Sequence, residues 1–249
     1  MRTVLLLLAI ATSAQAATEY RVSFEETRRP IQPGSGTMTF IVDGPNWCQR
    51  QNGATKAFST DGKTIIMLDH QLKTWWVSES KALFAGARPV QSLPMITHVK
   101  VRELRVTASD ESSDERVAGL PVHKYSVIAT YQLAGEMQGM PITTKQGITL
   151  FLWTNDSLHP ATIVPLIDLT TGMAEVDAAL APKLAAIPGF ALKTQLVATR
   201  AFAGGVPTVA MDTFTIDEIR TVTVPPHAFE RPHDYINQAP ILTAPGVSR

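Results

Sequence analysis

Six histidines, four tryptophans, one cysteine and one Ser-x-x-Lys step are the residues of this 249-residue chain with chemistry to offer. The histidines stand at positions 70, 98, 123, 159, 227 and 233. A zinc site wants close pairs such as His-x-x-x-His or Cys-x-x-Cys. Only His227 and His233 crowd together, with Glu230 and Asp234 beside them, and they sit among prolines near the chain end. That segment reads as a solvated polar loop. Cys48 is the single cysteine, so no intramolecular disulfide can form. It reads as a small buried apolar residue, with an intermolecular bridge or a reactive thiol as the alternatives. Ser78-Glu79-Ser80-Lys81 has the spacing of penicillin-binding enzymes, which also need Ser-Asp-Asn and Lys-Thr-Gly elements downstream. Neither tripeptide occurs, and Ser78 follows a strand-like run. There is no Gly-x-Ser-x-Gly, no phosphate-cradling loop and no Gly-x-Gly-x-x-Gly. The expectation is no catalytic residue, no metal and no cofactor.

The elements that would position any site are mostly strands. Tyr20, Val22 and Phe24 alternate with polar residues, as do Met38, Phe40 and Val42. Tyr125, Val127, Ala129, Tyr131 and Leu133 share a third face, and Phe214 and Ile216 a fourth. Asp43-Gly44-Pro45, Asp61-Gly62, Gly119 and Gly204-Gly205 supply turns between these runs. The pattern predicts nine to eleven antiparallel strands. Ile65 to Leu68 and Ile148 to Trp153 are apolar on both faces and predict central strands. Adjacent Trp75 and Trp76 must point to opposite faces of a strand. Trp47, Trp75, Trp76 and Trp153 read first as core packing, and one of them as the wall of a groove.

From Met173 to Ile187, apolar residues recur at steps of three and four, which predicts one helix stripe through Val176, Leu180 and Leu184. Pro182 predicts a kink or a split into two short helices, and Pro188-Gly189 the end. Residues 81–98 predict a second, irregular cover. The fold expected is therefore mainly β with helical cover, an α+β domain. It would be a curved antiparallel sheet or half-barrel of about ten strands wrapped around one or two helices. Arg2, the apolar run Val4 to Ala11 and the small residues Ala14-Gln15-Ala16 have the layout of a cleavable secretory signal, cut after Ala16. Residues 17–236 then form one domain, and 237–249 an unanchored tail. No stretch approaches the roughly 20 apolar residues of a transmembrane helix. The formal charge is zero, which argues against tracking nucleic acid. The expected location is the periplasm or the exterior.

Four segments carry a family likeness. They are Asp61-Gly62-Lys63 with Ile65 to Asp69 and Lys73-Thr74-Trp75; Arg116 to Tyr125; Ile187 to Lys193; and Phe229 to Tyr235. Together they resemble a bacterial envelope family known only as domain of unknown function 4412. The layout is also similar to periplasmic lipoprotein carriers and lipoprotein receptors. That likeness implies a curved sheet around helices and an apolar cavity. Where the family often has a cysteine after its glycine turn, this chain has Val122-His123.

The shape suggests binding. A helix ~10–12 Å across covers only part of a sheet on the order of 45 Å wide. An apolar face left uncovered marks an interaction site. The expected function is non-catalytic: an acyl chain, a lipid or a lipidated partner held in an apolar cavity near Ile66, Leu68, Trp75, Val127, Phe151, Leu180 and Leu184. The alternative is an envelope scaffold or protein-interaction module whose cavity is filled by its own side chains.

Overall fold

The computed structural model describes residues 16–27, 34–78, 96–112, 114–159, 171–202 and 204–238. Six strands come first: β1 (Ala16–Glu26), β2 (Gly34–Asp43), β3 (Asn46–Gln51), β4 (Ala54–Ser59), β5 (Ile66–Asp69) and β6 (Thr74–Val77). β7 (Ile96–Asp110) follows, then a small hairpin of β8 (Arg116–Val117) and β9 (Leu120–Pro121). β10 (His123–Met137) and β11 (Met140–Asn155) are the next pair, followed by the helix α1 (Ala174–Ala185). β12 (Phe190–Phe202), β13 (Thr208–Thr223) and β14 (Ile236–Asn237) complete the order.

Twelve of these strands form one sheet in the order β14-β6-β5-β4-β3-β2-β1-β13-β12-β11-β10-β7. Every pairing in it is antiparallel except that of β14 with β6. The sheet is an N-terminal meander, β1 to β6, joined to a C-terminal meander along the seam of β1 against β13. That seam runs from Ala16 opposite Thr223 to Glu26 opposite Asp212. The longest hairpin, β10 to β11, turns through Gln138 and Gly139 at φ of 53° and 78°, the backbone hand that a two-residue hairpin requires.

Hydrophobic alternation decides which side each strand buries. Met38, Phe40 and Val42 of β2 bury one face with Val22 of β1, Trp47 of β3 and Phe214 and Ile216 of β13. Ile41, one residue along from Phe40, points to the other face and packs with Cys48 and Phe58. There the segment after β13 lies across the meander, adding Val224, Ala228, Phe229 and Tyr235. The N-terminal half is thus covered on both sides, as the doubly apolar run at Ile65 to Leu68 predicts. A third cluster joins Val127, Ala129, Tyr131 and Leu133 of β10 to Ile148 and Leu150 of β11, Leu196 of β12, and Val176 and Leu180 of α1.

The expected α+β half-barrel wrapped around one or two helices is corrected by this architecture. The protein is predominantly β, and α1 is the single helix among the described residues. At 12 residues it packs mainly on β7 and β10, at one end of the sheet. Elsewhere the first cluster takes in Val117, Ala118 and Leu120 of the β8–β9 hairpin with Val122 and Leu158, and the opposite face packs beneath the C-terminal segment. The stripe from Met173 to Ile187 does face the sheet: Val176 and Leu180 are buried, and Met173, Leu184 and Ile187 pack half-buried against the same cluster. Pro182 does not split the helix. It lies on the exposed side, where the only hydrogen bond lost is its own to the Ala178 carbonyl.

The helix start is fastened by an acid inside its first turn. The Asp177 carboxylate accepts from the Thr171 backbone N–H at 2.7 Å and from its hydroxyl at 2.8 Å. The end follows Pro188-Gly189, as the sequence predicts, with Gly189 at φ of 77°. Residues 79–95, most of the second predicted cover, lie outside the described residues, and Ile96 onward is strand. At the chain end, Ile236 N–H donates to the Lys73 carbonyl and Gln238 N–H to that of Trp75, both at 3.0 Å. The described chain therefore stays on the sheet edge through Gln238.

Candidate functional site

The seven residues nominated for an apolar cavity fall into three groups. Val127, Leu180 and Leu184 come together beneath α1. Ile66, Leu68 and Trp75 share the opposite covered face of the N-terminal meander with Cys48 and Tyr235. Trp75 opposes Leu68 directly, while Trp76 opposes Met67 on the other side. Phe151 packs against the first cluster instead. The reason is register: Leu150 opposes Val127, so Phe151 must point away from Val127. On that other side Phe151 and Trp153 lie beneath the Lys124 ammonium, 4.7 and 5.2 Å from the ring centroids. Lys193 approaches Trp153 at 4.2 Å.

The helix-covered group carries unmet polar demand, as do Trp47 and Trp153 of the first cluster, whose indole N–H groups also lack a hydrogen-bond partner. Tyr131, Gln146 and Arg200 stand directly opposite one another on β10, β11 and β12 and so project from the same face. Tyr131 belongs to the apolar cluster that includes Val176 and Leu180. It is 2% exposed and Gln146 4%, yet the Tyr131 hydroxyl and the Gln146 Oε1 have no hydrogen-bond partner. Each such orphan costs about 1–3 kcal/mol in a dry interior. The Gln146 Nε2 donates to the buried Thr144 hydroxyl at 2.9 Å. The neighbouring row on this face is Ala129, Ile148 and Ala198, two of three being among the smallest side chains.

Electrostatics agree with a desolvated place. Burial pushes the Tyr131 hydroxyl up to about 12; the Asp177 carboxylate adds to that and Arg200 opposes it. Burial lowers the Arg200 guanidinium from its ordinary value. A guanidinium still keeps its charge at any physiological pH. The row therefore offers a phenol O–H, an amide and a cation within an otherwise apolar surface.

Other clusters are spoken for. His70 bridges Tyr235 Oη and the Thr55 carbonyl, each at 2.5 Å, fixing the C-terminal segment to β4. His123 pairs with Asp110, and His227 Nδ1 with Glu230 at 2.7 Å. Asp234 is held by Lys73 at 2.7 Å. Among the described residues no three His, Cys, Asp or Glu side chains gather as a metal site would need. Ser78 donates its backbone N–H to Ile65, and Lys81 lies outside the described residues. A cleft of about 510 Å3 opens at the β1–β13 seam beside Tyr20, Val42, Leu158 and Ile219. None of the seven nominated residues lines it, and its cation Arg220 is paired with Glu19.

Tyr131 was readable as part of an alternating face, but Gln146 and Arg200 were not readable as its neighbours. The available signal is a glutamine at the position where the apolar face of β11, read back from Leu150 and Ile148, calls for a hydrocarbon. No helix of the described residues is long and apolar enough to cross a membrane. No protein-family model matches the chain and no curated protein matches it in sequence, so the likeness to the uncharacterised envelope family rests on the quoted motifs alone.

Proposed function

We propose that the protein is an exported, non-catalytic envelope protein that shelters an acyl chain, a lipid or a lipidated partner between α1 and the β7–β10–β11 end of the sheet. The observation that carries this reading is a margin of half-buried apolar residues around the helix. Val99, Val101, Leu104 and Val106 of β7, Leu152 of β11 and Leu184 of α1 all pack there without full burial. Twelve helical residues span about 18 Å, whereas the strands β10 and β11 run for about 50 Å. A chain of about sixteen carbons laid along that margin gains on the order of 12 kcal/mol gross at ~0.8 kcal/mol per methylene. Association costs remove much of this and leave an affinity suited to carriage and release. Export is supported by Arg2, the run Val4 to Ala11 and Ala14-Gln15-Ala16. Amino-terminal sequencing of protein from an exporting host is expected to start at Ala17.

The test is uptake of a fluorescent fatty acid by delipidated protein. Leu184→Glu places a charge on the half-buried margin and is expected to weaken uptake about tenfold or more, with circular dichroism unchanged. Absence of uptake by the wild type sinks the proposal. A second reading then takes its place, an envelope scaffold with a self-filled interior and a protein partner. It is favoured by the packing of Leu68, Val127 and Leu180, each of which is buried within the protein's own clusters.

A further inference from the structure

We infer that the end of the sheet carrying the β10–β11 and β12–β13 turns docks on a bilayer surface rich in anionic phospholipid. Apolar turn residues enter the interface, and a basic strand face behind them meets the phosphates. The inference does not depend on the acyl-chain reading above and concerns a different surface.

Strand register brings the parts together. Thr144 of β11 stands opposite Phe202 of β12. Met140 lies four residues beyond that row on one strand and Val206 four beyond it on the other, so the two neighbouring turns reach a similar height. Val206 is 89% exposed, Met140 and Val209 each 61%, and Phe202 is exposed beside them. Single exposed apolar residues are ordinary on a protein surface. Here half of the large exposed ones among the described residues converge on two adjacent turns. They protrude from the glycine-containing turns at Gly139 and Gly204-Gly205. A fluid interface accepts such protruding side chains, whereas a folded partner has to match each with a shaped recess.

The basic face lies behind the turns. Val99, Val101, Leu104 and Val106 of β7 pack toward α1, so the intervening Lys100, Arg102 and Arg105 project from the other side of the sheet. Arg102 opposes Gln132 of β10, which opposes Lys145 of β11. Arg105 opposes Thr130, which opposes Gly147, and that row continues through Thr199 to Val209. A sheet leaning on this face therefore brings cations and an apolar residue down together. All four cations are exposed, and none is ion-paired with a described residue. The acids on this face at this end of β7 and β10 to β13 are Glu103, whose carboxylate accepts from Gln132 Nε2, and Glu136. Four cations against two acids make a positive surface on a chain of zero formal charge. A layer of lipid phosphates supplies the matching sign without needing a pocket.

The experiment is co-sedimentation of the mature protein with vesicles of equal parts phosphatidylglycerol and phosphatidylcholine, and with vesicles of phosphatidylcholine alone. Wild type is compared with Arg102→Gln combined with Lys145→Gln, and with Met140→Ser combined with Val206→Ser. All four positions are exposed, and each variant is checked by circular dichroism. The wild type is expected to bind the anionic vesicles about tenfold or more tightly than the neutral ones. Neutralising the two cations is expected to remove about tenfold or more of that binding, and added salt to weaken the wild type likewise. The turn variant is expected to lose about tenfold through the apolar surface it no longer inserts. Failure to bind either vesicle, equal binding to both, or anionic binding that survives either pair of substitutions overturns the docking surface. Uptake of the fluorescent fatty acid is measured on the same preparations and is expected to be unchanged in both variants. Wild-type protein that takes up the fatty acid but binds no vesicle overturns the docking alone and leaves the acyl-chain reading standing.

Discussion

Cys48 shows how far burial alone sets chemistry here. Packed with Ile41 and Phe58 behind the N-terminal strands, its thiol is pushed up to about 11 by desolvation, against a partial pull down from Arg50. Thiolate is the reactive form, so a disulfide-exchange reagent at neutral pH is expected to label Cys48 only after denaturant is added. Full labelling of native protein would contradict its placement. Asp61 is the opposite case. It accepts from the Lys63 N–H at 2.8 Å, the Thr64 N–H at 2.7 Å and the hydroxyls of Thr64 and Ser59, which hold its carboxyl far below the ordinary value. A depressed native pKa contributes stability that is present above about pH 4 and is lost as pH falls toward the native value. Asp61→Ala is therefore expected to lower Tm at pH 7, with the gap to wild type narrowing as calorimetry is repeated toward pH 2. A gap independent of pH would contradict this. At this scale the sequence named faces well: Val22, Phe40, Val127 and Phe214 are all buried where alternation puts them. It could not group residues across strands, because the register that separates Phe151 from Val127 and aligns Tyr131 with Gln146 and Arg200 is a property of paired strands, not of any one.

Among the elements, α1 was the most legible and β7 the least. The helix stripe needs only one segment to be read, and its turn-ending Pro188-Gly189 follows from local backbone preferences. β7 lost its period because two bulges interrupt it. Its pairing with β10 slips between Thr130 and Gln132 and again between Ala134 and Glu136, with His98 and Glu103 at φ of 53° and 51°. Val99 and Val101 therefore keep one period and Leu104 and Val106 another, while all four pack on the same cluster. Two substitutions test the helix. Pro182 is exposed and interrupts the backbone ladder of α1. Pro182→Ala restores a donor to the Ala178 carbonyl and is expected to stabilise the protein by about 1–3 kcal/mol, seen as a rise in Tm; a fall would show that the proline shapes the helix it interrupts. Gly189 combines φ of 77° with a site where a Cβ would stand 2.8 Å from the Asn155 carbonyl oxygen. Gly189→Ala is expected to cost about 2 kcal/mol or more, lowering Tm by roughly 4–8 °C for a chain of this size. An unchanged melting point would contradict the strained turn.

For the molecule as a whole, the β class was readable but the cover was not. Alternation reports that a strand has one buried side without saying what buries it. Helices were the expected cover, whereas the β8–β9 hairpin joins the cluster on one face of the sheet and the segment from Val224 to Tyr235 packs on the other. The helix is left guarding only one end, where a half-buried apolar margin lies beside two of the buried polar atoms that lack a hydrogen-bond partner, Tyr131 Oη and Gln146 Oε1. The most direct measurement is native mass spectrometry of the protein as purified from an exporting host, followed by fragmentation of any adduct. A carrier is expected to appear with a one-to-one addition of fatty-acid mass that is lost on delipidation and restored by added palmitate. A bare polypeptide mass in both preparations, with no adduct after incubation with palmitate, would contradict acyl-chain binding.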